Sequence, residues 1–201
     1  MGKLLYELDG NLYINLTNRC TNRCKFCVRN GKDSYYGHNL RLEKEPTAEE
    51  VLHLFKAEYE GRKYNEVVFC GFGEPTFRID EIATIGAYVR SKGYTVRLNT
   101  NGQGNLINGY DITDKLVGAI DKVNVSLNMP TAKEYDEMCH SVYKEKAFDA
   151  LLSFAKECDK KGVKVTLSVV DCIGKEKVEE AKKLCEENGL TIKVRSYLKY
   201  T

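Results

Sequence analysis

The 201-residue sequence has no apolar run near bilayer-spanning length, only three prolines and no low-complexity tract. No membrane-spanning segment and no proline-rich spacer is therefore expected. The opening stretch, MGKLLYELDGNLYINLT, lacks a basic segment followed by a long apolar one, so it does not read as a secretory signal. An excess of one charge sign is missing too. The 31 basic and 29 acidic residues leave a formal charge of +2, which carries no general nucleic-acid signal. No linker divides the chain, and a core of this size needs no staples. A single domain over residues 1–201, cytoplasmic and soluble, is the expectation.

What is present is an alternation of short β-branched runs with longer helical stretches. Strands are predicted at Leu12–Leu16, Glu66–Cys70, Tyr94–Leu98, Lys122–Leu127, Val163–Val170 and Leu190–Tyr197. Helices are predicted near Thr47–Tyr59, Asp80–Lys92, Thr113–Ala119, Lys144–Lys161 and Lys175–Asn188. Thr47-Ala-Glu-Glu50 has the capping-box form, and Gly93, Gly162 and Gly189 follow helical stretches where a left-handed cap belongs. Such alternation argues for parallel βαβ units, either closed towards a barrel or open and doubly wound. The unusual residues cluster just after the strands, at 18–27, 71–76, 99–102, 126–130 and 171–174, which is where parallel α/β folds bind ligands. The connection between the first strand and the first helix is far longer than a usual βα loop.

That long connection contains Cys20-Thr-Asn-Arg-Cys24-Lys-Phe-Cys27, three of the chain's eight cysteines. A reducing compartment disfavours disulfides, and this asymmetric spacing points to a thiolate site. Thiolates suit zinc or an iron–sulfur cluster. Structural zinc and ferredoxin clusters both want a fourth ligand, and none stands at recognisable spacing; His38 is the nearest candidate. Three thiols without a fourth leave a metal with an open position. Arg19, Arg23, Lys25, Arg29 and Lys32 crowd around them, either balancing negative charge or docking an acidic partner.

The octapeptide CTNRCKFC resembles the CxxxCxΦC signature of the radical S-adenosylmethionine superfamily, with Phe26 as its aromatic residue. The resemblance implies a partial, open (β/α)6 TIM-like barrel. It also implies a [4Fe–4S] cluster on Cys20, Cys24 and Cys27, whose open iron takes the amino and carboxylate groups of S-adenosylmethionine. Reductive cleavage of that cofactor then yields a 5′-deoxyadenosyl radical that abstracts hydrogen from a substrate. By the same resemblance, the backbone around Phe26 lies near the adenine. Gly71-Phe-Gly-Glu-Pro-Thr76 is similar to the family's GGEP motif, with Phe72 standing where the pattern often has its first glycine. Its Gly73 permits close approach, and Glu74 is the expected acceptor of the methionine amino group. Asn99 and Thr100 in Leu98-Asn-Thr-Asn-Gly102, and Ser126 in Val125-Ser-Leu-Asn128, are the remaining expected cofactor contacts. The segments YINLTNRCTNRCKFCVRN, LEKEPTAEE and CGFGEPT resemble the TatD-linked radical S-adenosylmethionine proteins in particular. That affiliation implies a functional link to a TatD-type nuclease.

Cys158 and Cys185 sit at helical spacing among apolar residues and read as core thiols. Cys70 ends a buried strand, His53 reads as a surface residue, and Cys172 has an open role after the fifth strand. The absence of a later CxxC argues against an auxiliary cluster. The implied partners are a one-electron donor such as flavodoxin or ferredoxin and an unidentified substrate, either a small metabolite or nucleotide or a peptide or protein. A non-catalytic zinc-binding module is the alternative from another class.

Overall fold

Asp9-Gly10 stands between two short alternating runs, and both residues take left-handed φ values, 49° and 73°. That is the tight turn a twisted hairpin favours. In the computed structural model, which describes residues 2–197, the turn joins β1 (Leu5–Leu8) to β2 (Asn11–Ile14). The sequence reading missed β1. The long connection after β2 holds a second small hairpin, β3 (Ser34–Tyr35) with β4 (His38–Asn39). Helix α1 (Ala48–Leu54) follows, opened by the predicted capping box of Thr47 and Glu50 and continued by a wider turn over Phe55–Tyr59.

Strand and helix then alternate: β5 (Val67–Phe69), α2 (Ile79–Ser91), β6 (Val96–Thr100), α3 (Gly104–Asn108), α4 (Thr113–Leu116) and β7 (Lys122–Ser126). After them come α5 (Ala132–Cys139), α6 (Lys146–Lys160), β8 (Lys164–Val170), α7 (Lys175–Glu187) and β9 (Ile192–Arg195). The predicted glycine caps hold, since Gly93, Gly162 and Gly189 all have positive φ. The predicted last strand ran to Tyr197, two residues beyond β9.

The sheet order is β1-β2-β5-β6-β7-β8-β9, antiparallel only between β1 and β2. From β2 onward the strand order follows the chain order without the reversal that a doubly wound sheet requires. Right-handed crossovers carry the connecting helices of such a sheet to one face. Leu12, Ile14, Phe69, Leu98, Val125 and Leu167 pack on that face against Ile82 and Ile85 of α2 and Leu151 and Phe154 of α6. The other face reads differently. Register puts Tyr13, Val68 and Arg97 in one row and Asn99 beside Asn124 in the next, with Ser126 beside Ser168 beyond them. A parallel sheet covered on both faces would be apolar on both. Here one face is polar.

Phe72, the departure from a glycine-rich turn, is buried with Tyr6 and Leu40 in a small second cluster, against which Tyr35 of β3 packs. The bulky side chain thus anchors the long connection to the start of the sheet.

Candidate active site

The cysteine-bearing loop leaves β2 and is tied down along its length. Asn15 donates from Nδ2 to the carbonyls of Lys3 and Leu40, at 3.1 and 2.8 Å. Asn18 pairs with the backbone of Leu42 in both directions, at 2.7 and 3.1 Å. The Thr17 hydroxyl donates to Glu45, and Arg19 grips the same carboxylate with two N–H groups at 2.7 and 2.9 Å. Arg29 bridges three backbone carbonyls, those of Asn18 (3.0 Å), Asn22 (3.0 Å) and Phe72 (3.3 Å). The cationic cluster therefore does more than balance charge. Arg19 is matched by Glu45, and Arg29 is the clasp that closes the loop.

On the far side the loop docks on the end of α5. The Arg23 N–H donates to the Cys139 carbonyl (2.8 Å) and the Lys25 N–H to the Met138 carbonyl (3.0 Å), which holds Cys24 between them. Contact with the Cys139 thiol, together with burial, pushes the Cys24 thiol well above its ordinary range. Burial and the charge of Glu74 push Cys20 up to about 12. The Asn22 N–H points at Cys20 Sγ from 3.4 Å, and Cys27 is held in a turn by its N–H on the Cys24 carbonyl (3.1 Å). All three thiols are half-buried. Among the described residues no three His, Cys, Asp or Glu side chains close around a single ion.

Glu74 is the buried knot beneath this loop, 3% exposed. Its Oε1 accepts from the Thr76 N–H (3.1 Å), the Thr76 hydroxyl (2.7 Å) and the Thr100 hydroxyl (2.6 Å), and its Oε2 from the Asn101 N–H (2.7 Å). Burial raises its pKa, and these donors pull it back. Glu74 is also the N-cap of the turn Pro75–Arg78. Gly73 has no room for a side chain, because a Cβ there would lie 2.4 Å from the Thr17 carbonyl oxygen and 2.5 Å from that of Arg19. That close approach lets Glu74 N–H reach the Arg19 carbonyl at 2.7 Å.

The other expected residues divide. Thr100 donates its hydroxyl to Glu74 (2.6 Å) and accepts from the Gly102 N–H (3.0 Å), which leaves one lone pair on its oxygen. Asn99 lies on the polar face and accepts from Arg97. Ser126 is half-exposed at the end of β7, its hydroxyl without a partner among the described residues. Phe26 is half-exposed between Cys24 and Cys27. Cys158 and Cys185 are buried, His53 is exposed, and Cys172 is exposed in the turn Asp171–Ile173.

Sequence reasoning missed a second buried network. Asn22 Nδ2 donates to the Tyr135 hydroxyl (3.0 Å), Gln103 Nε2 donates to both Asn22 Oδ1 (2.9 Å) and Tyr135 (3.0 Å), and the Ser141 hydroxyl donates to Gln103 Oε1 (3.0 Å). Asn101 Nδ2 on Thr21 Oγ1 (2.8 Å) joins this network to the Glu74 knot. The signal was available. Thr131-Ala-Lys-Glu134 repeats the capping pattern of Thr47–Glu50 and opens α5, the helix that brings Tyr135 and Cys139 to the loop.

The sequence profile of the radical SAM superfamily matches residues 14–187. The chain belongs to that superfamily. It is 32% identical over 155 residues to the Fe-coproporphyrin III synthase of Methanosarcina barkeri, covering 76% of this chain and 35% of that protein. A probable GTP 3′,8-cyclase of Methanothermobacter thermautotrophicus is 25% identical over 192 residues, 94% of this chain and 58% of its own length. The chain thus spans between about a third and three fifths of these relatives. In fold it is similar to Streptococcus suis SuiB, with a TM-score of 0.66 at 19% identity over 91% of this chain and 38% of that one. The superfamily uses a [4Fe–4S] cluster and S-adenosylmethionine, and these are the cofactors here. No helix among the described residues is long and apolar enough to cross a membrane.

Proposed function

We propose that Cys20, Cys24 and Cys27 hold the cluster and that S-adenosylmethionine binds beside it, against Glu74 and the strand ends, in an enzyme acting on a small metabolite or nucleotide. The carrying observation is the cysteine loop, braced by Arg29 and α5 directly above a buried carboxylate. When bound, cluster and cofactor supply reductive cleavage of the sulfonium to a 5′-deoxyadenosyl radical, which takes hydrogen from the substrate. The chain's own residues do the rest. Glu74 carries a negative charge met only by neutral donors, so the ammonium of a methionine moiety is its natural complement. Gly73 keeps the backbone clear, Ser126 offers an unused hydroxyl, and Phe26 offers an apolar surface for an adenine. Thr100 and Asn101 fix the carboxylate, and Asn99 lines the wall beyond.

The singly wound order and the polar face support a partial, open (β/α)6 barrel. A cavity of about 290 Å³ beside the loop is lined by Arg23, Arg29 and Arg41, and an acidic one-electron donor fits such a surface. The affiliation with TatD-linked members and their nucleases rests on the sequence segments alone. A peptide or protein substrate is the second reading, because an open barrel edge admits one.

The test is anaerobic reconstitution followed by dithionite and S-adenosylmethionine. We expect 5′-deoxyadenosine, and its loss together with iron in Cys24→Ala. Unchanged turnover in that variant contradicts the ligand assignment. Cys139→Ala guards the open corner. It should retain iron, and loss of iron equal to that of Cys24→Ala would make Cys139 a fourth ligand and end the proposal. Zinc without iron would select the binding-module alternative.

A further inference from the structure

We propose that the substrate is a small anion, held through a phosphate or carboxylate by Lys193 and Arg195 on the polar face of the sheet. This deepens the reading above and rests on it for the identity of the reaction site.

Register decides which way these residues face. Leu167 and Val169 of β8 belong to the helix-side core, so Ser168 and Val170 lie on the other face, and their partners on β9 are Lys193 and Arg195. Arg97, Lys122 and Lys164 form one row across β6, β7 and β8 on the same face. Like charges on adjacent strands repel, and a fold gains nothing by setting them side by side. Glu66 meets Arg97 at 2.6 Å and Lys122 at 2.7 Å, one carboxylate against two cations. Lys164, Lys193 and Arg195 have no acidic partner among the described residues. Five cations thus share this face with one carboxylate. Between the two cationic groups lie Asn124 and Ser168, 7% and 3% exposed, joined by a 3.1 Å bond from Asn124 Nδ2 to the serine oxygen.

Edge strands do carry lysine to block pairing with other chains. That accounts for one charge on β9 but not for two on the same face of it, nor for Lys164 on the interior strand β8. Nor does balancing the cluster account for it, since the loop has its own arginines. An anionic ligand neutralises the surplus, and the planar fork of Arg195 suits a phosphate or carboxylate.

The full chain, before and after cluster reconstitution, is titrated with sodium phosphate and separately with sodium succinate, at ionic strength fixed by sodium chloride. Binding is read by calorimetry and by the thermal unfolding midpoint. We expect saturable binding of one anion or both, phosphate alone marking a phosphate site and succinate alone a carboxylate site. Lys193→Gln with Arg195→Gln should weaken it at least about tenfold. Lys182→Gln with Lys183→Gln, on exposed turns of α7, should leave it unchanged. Binding no stronger than the chloride response, or binding retained in the Lys193/Arg195 double variant, overturns the proposal. These readouts need no turnover. A chain that binds the anion yet never forms 5′-deoxyadenosine would refute the enzymatic reading and leave the anion site standing, and the converse would refute this inference alone.

Discussion

At the scale of single residues, Glu74 carries the most consequence. Burying a carboxylate away from any cation is costly unless donors surround it, and here four do. Glu74→Gln keeps the shape and the three donors on Oε1, but it sets an amide N–H₂ against the Asn101 N–H. Two donors then face each other, at a cost of about 1–3 kcal/mol. We expect a lower denaturation midpoint with the brown cluster still assembling, because no sulfur ligand is touched. Equilibrium dialysis should show S-adenosylmethionine binding weakened by about tenfold or more, the worth of roughly 1.4 kcal/mol. Unweakened binding would remove Glu74 from the cofactor's contacts. The motif that revealed this residue said nothing of its depth. Its neighbours Thr100, the last residue of β6, and Asn101, just beyond it, stand 26 and 27 positions later in the chain, so only tertiary structure discloses the knot.

At the scale of elements, the loop between β2 and α1 is held by side chains bonding to backbone, and Arg29 is the clearest instance. Its guanidinium reaches three carbonyls from one planar group, which a lysine ammonium on a flexible stem does not reproduce. Arg29→Lys keeps the charge and loses the geometry. Iron retention during gel filtration should fall while the global unfolding midpoint moves little, because the helix–sheet core lies elsewhere. Equal retention would reduce Arg29 to a charge-balancing role. Elements were legible in the sequence where periodicity was long, as in α2, α6 and α7, or where a β-branched run was buried, as in β7 and β8. The missed ones are short. Helix α5 has eight residues, too few for a periodic stripe, and β1 has four. Each was nonetheless marked by local chemistry, the Thr131–Glu134 cap and the Asp9-Gly10 turn, which act on backbone geometry and leave hydropathy unchanged.

At the scale of the whole molecule, two kinds of organisation are stacked. A helix-covered face carries the apolar core, and the strand ends and polar face carry the residues proposed for the chemistry. Alternation in the sequence disclosed the first. The polar residues that alternate with core residues along β6 and β7 contained the second, and register was needed to say which of them share a row. The separation has a testable consequence for metal removal. None of the three expected ligands is among the buried residues of the core, where only Cys24 touches the margin, and the loop's bracing comes from protein groups. Small zinc modules behave otherwise, since their folding free energy is largely the metal's. The chain stripped of iron by chelation should therefore keep its far-ultraviolet circular dichroism and unfold cooperatively in urea. Hydrogen exchange should quicken over residues 18–32 and stay slow in β6 and β7. Reconstitution with S-adenosylmethionine should protect the loop again. A stripped chain without cooperative unfolding would mean that the metal organises the fold, and it would turn the argument towards a metal-stabilised binding module.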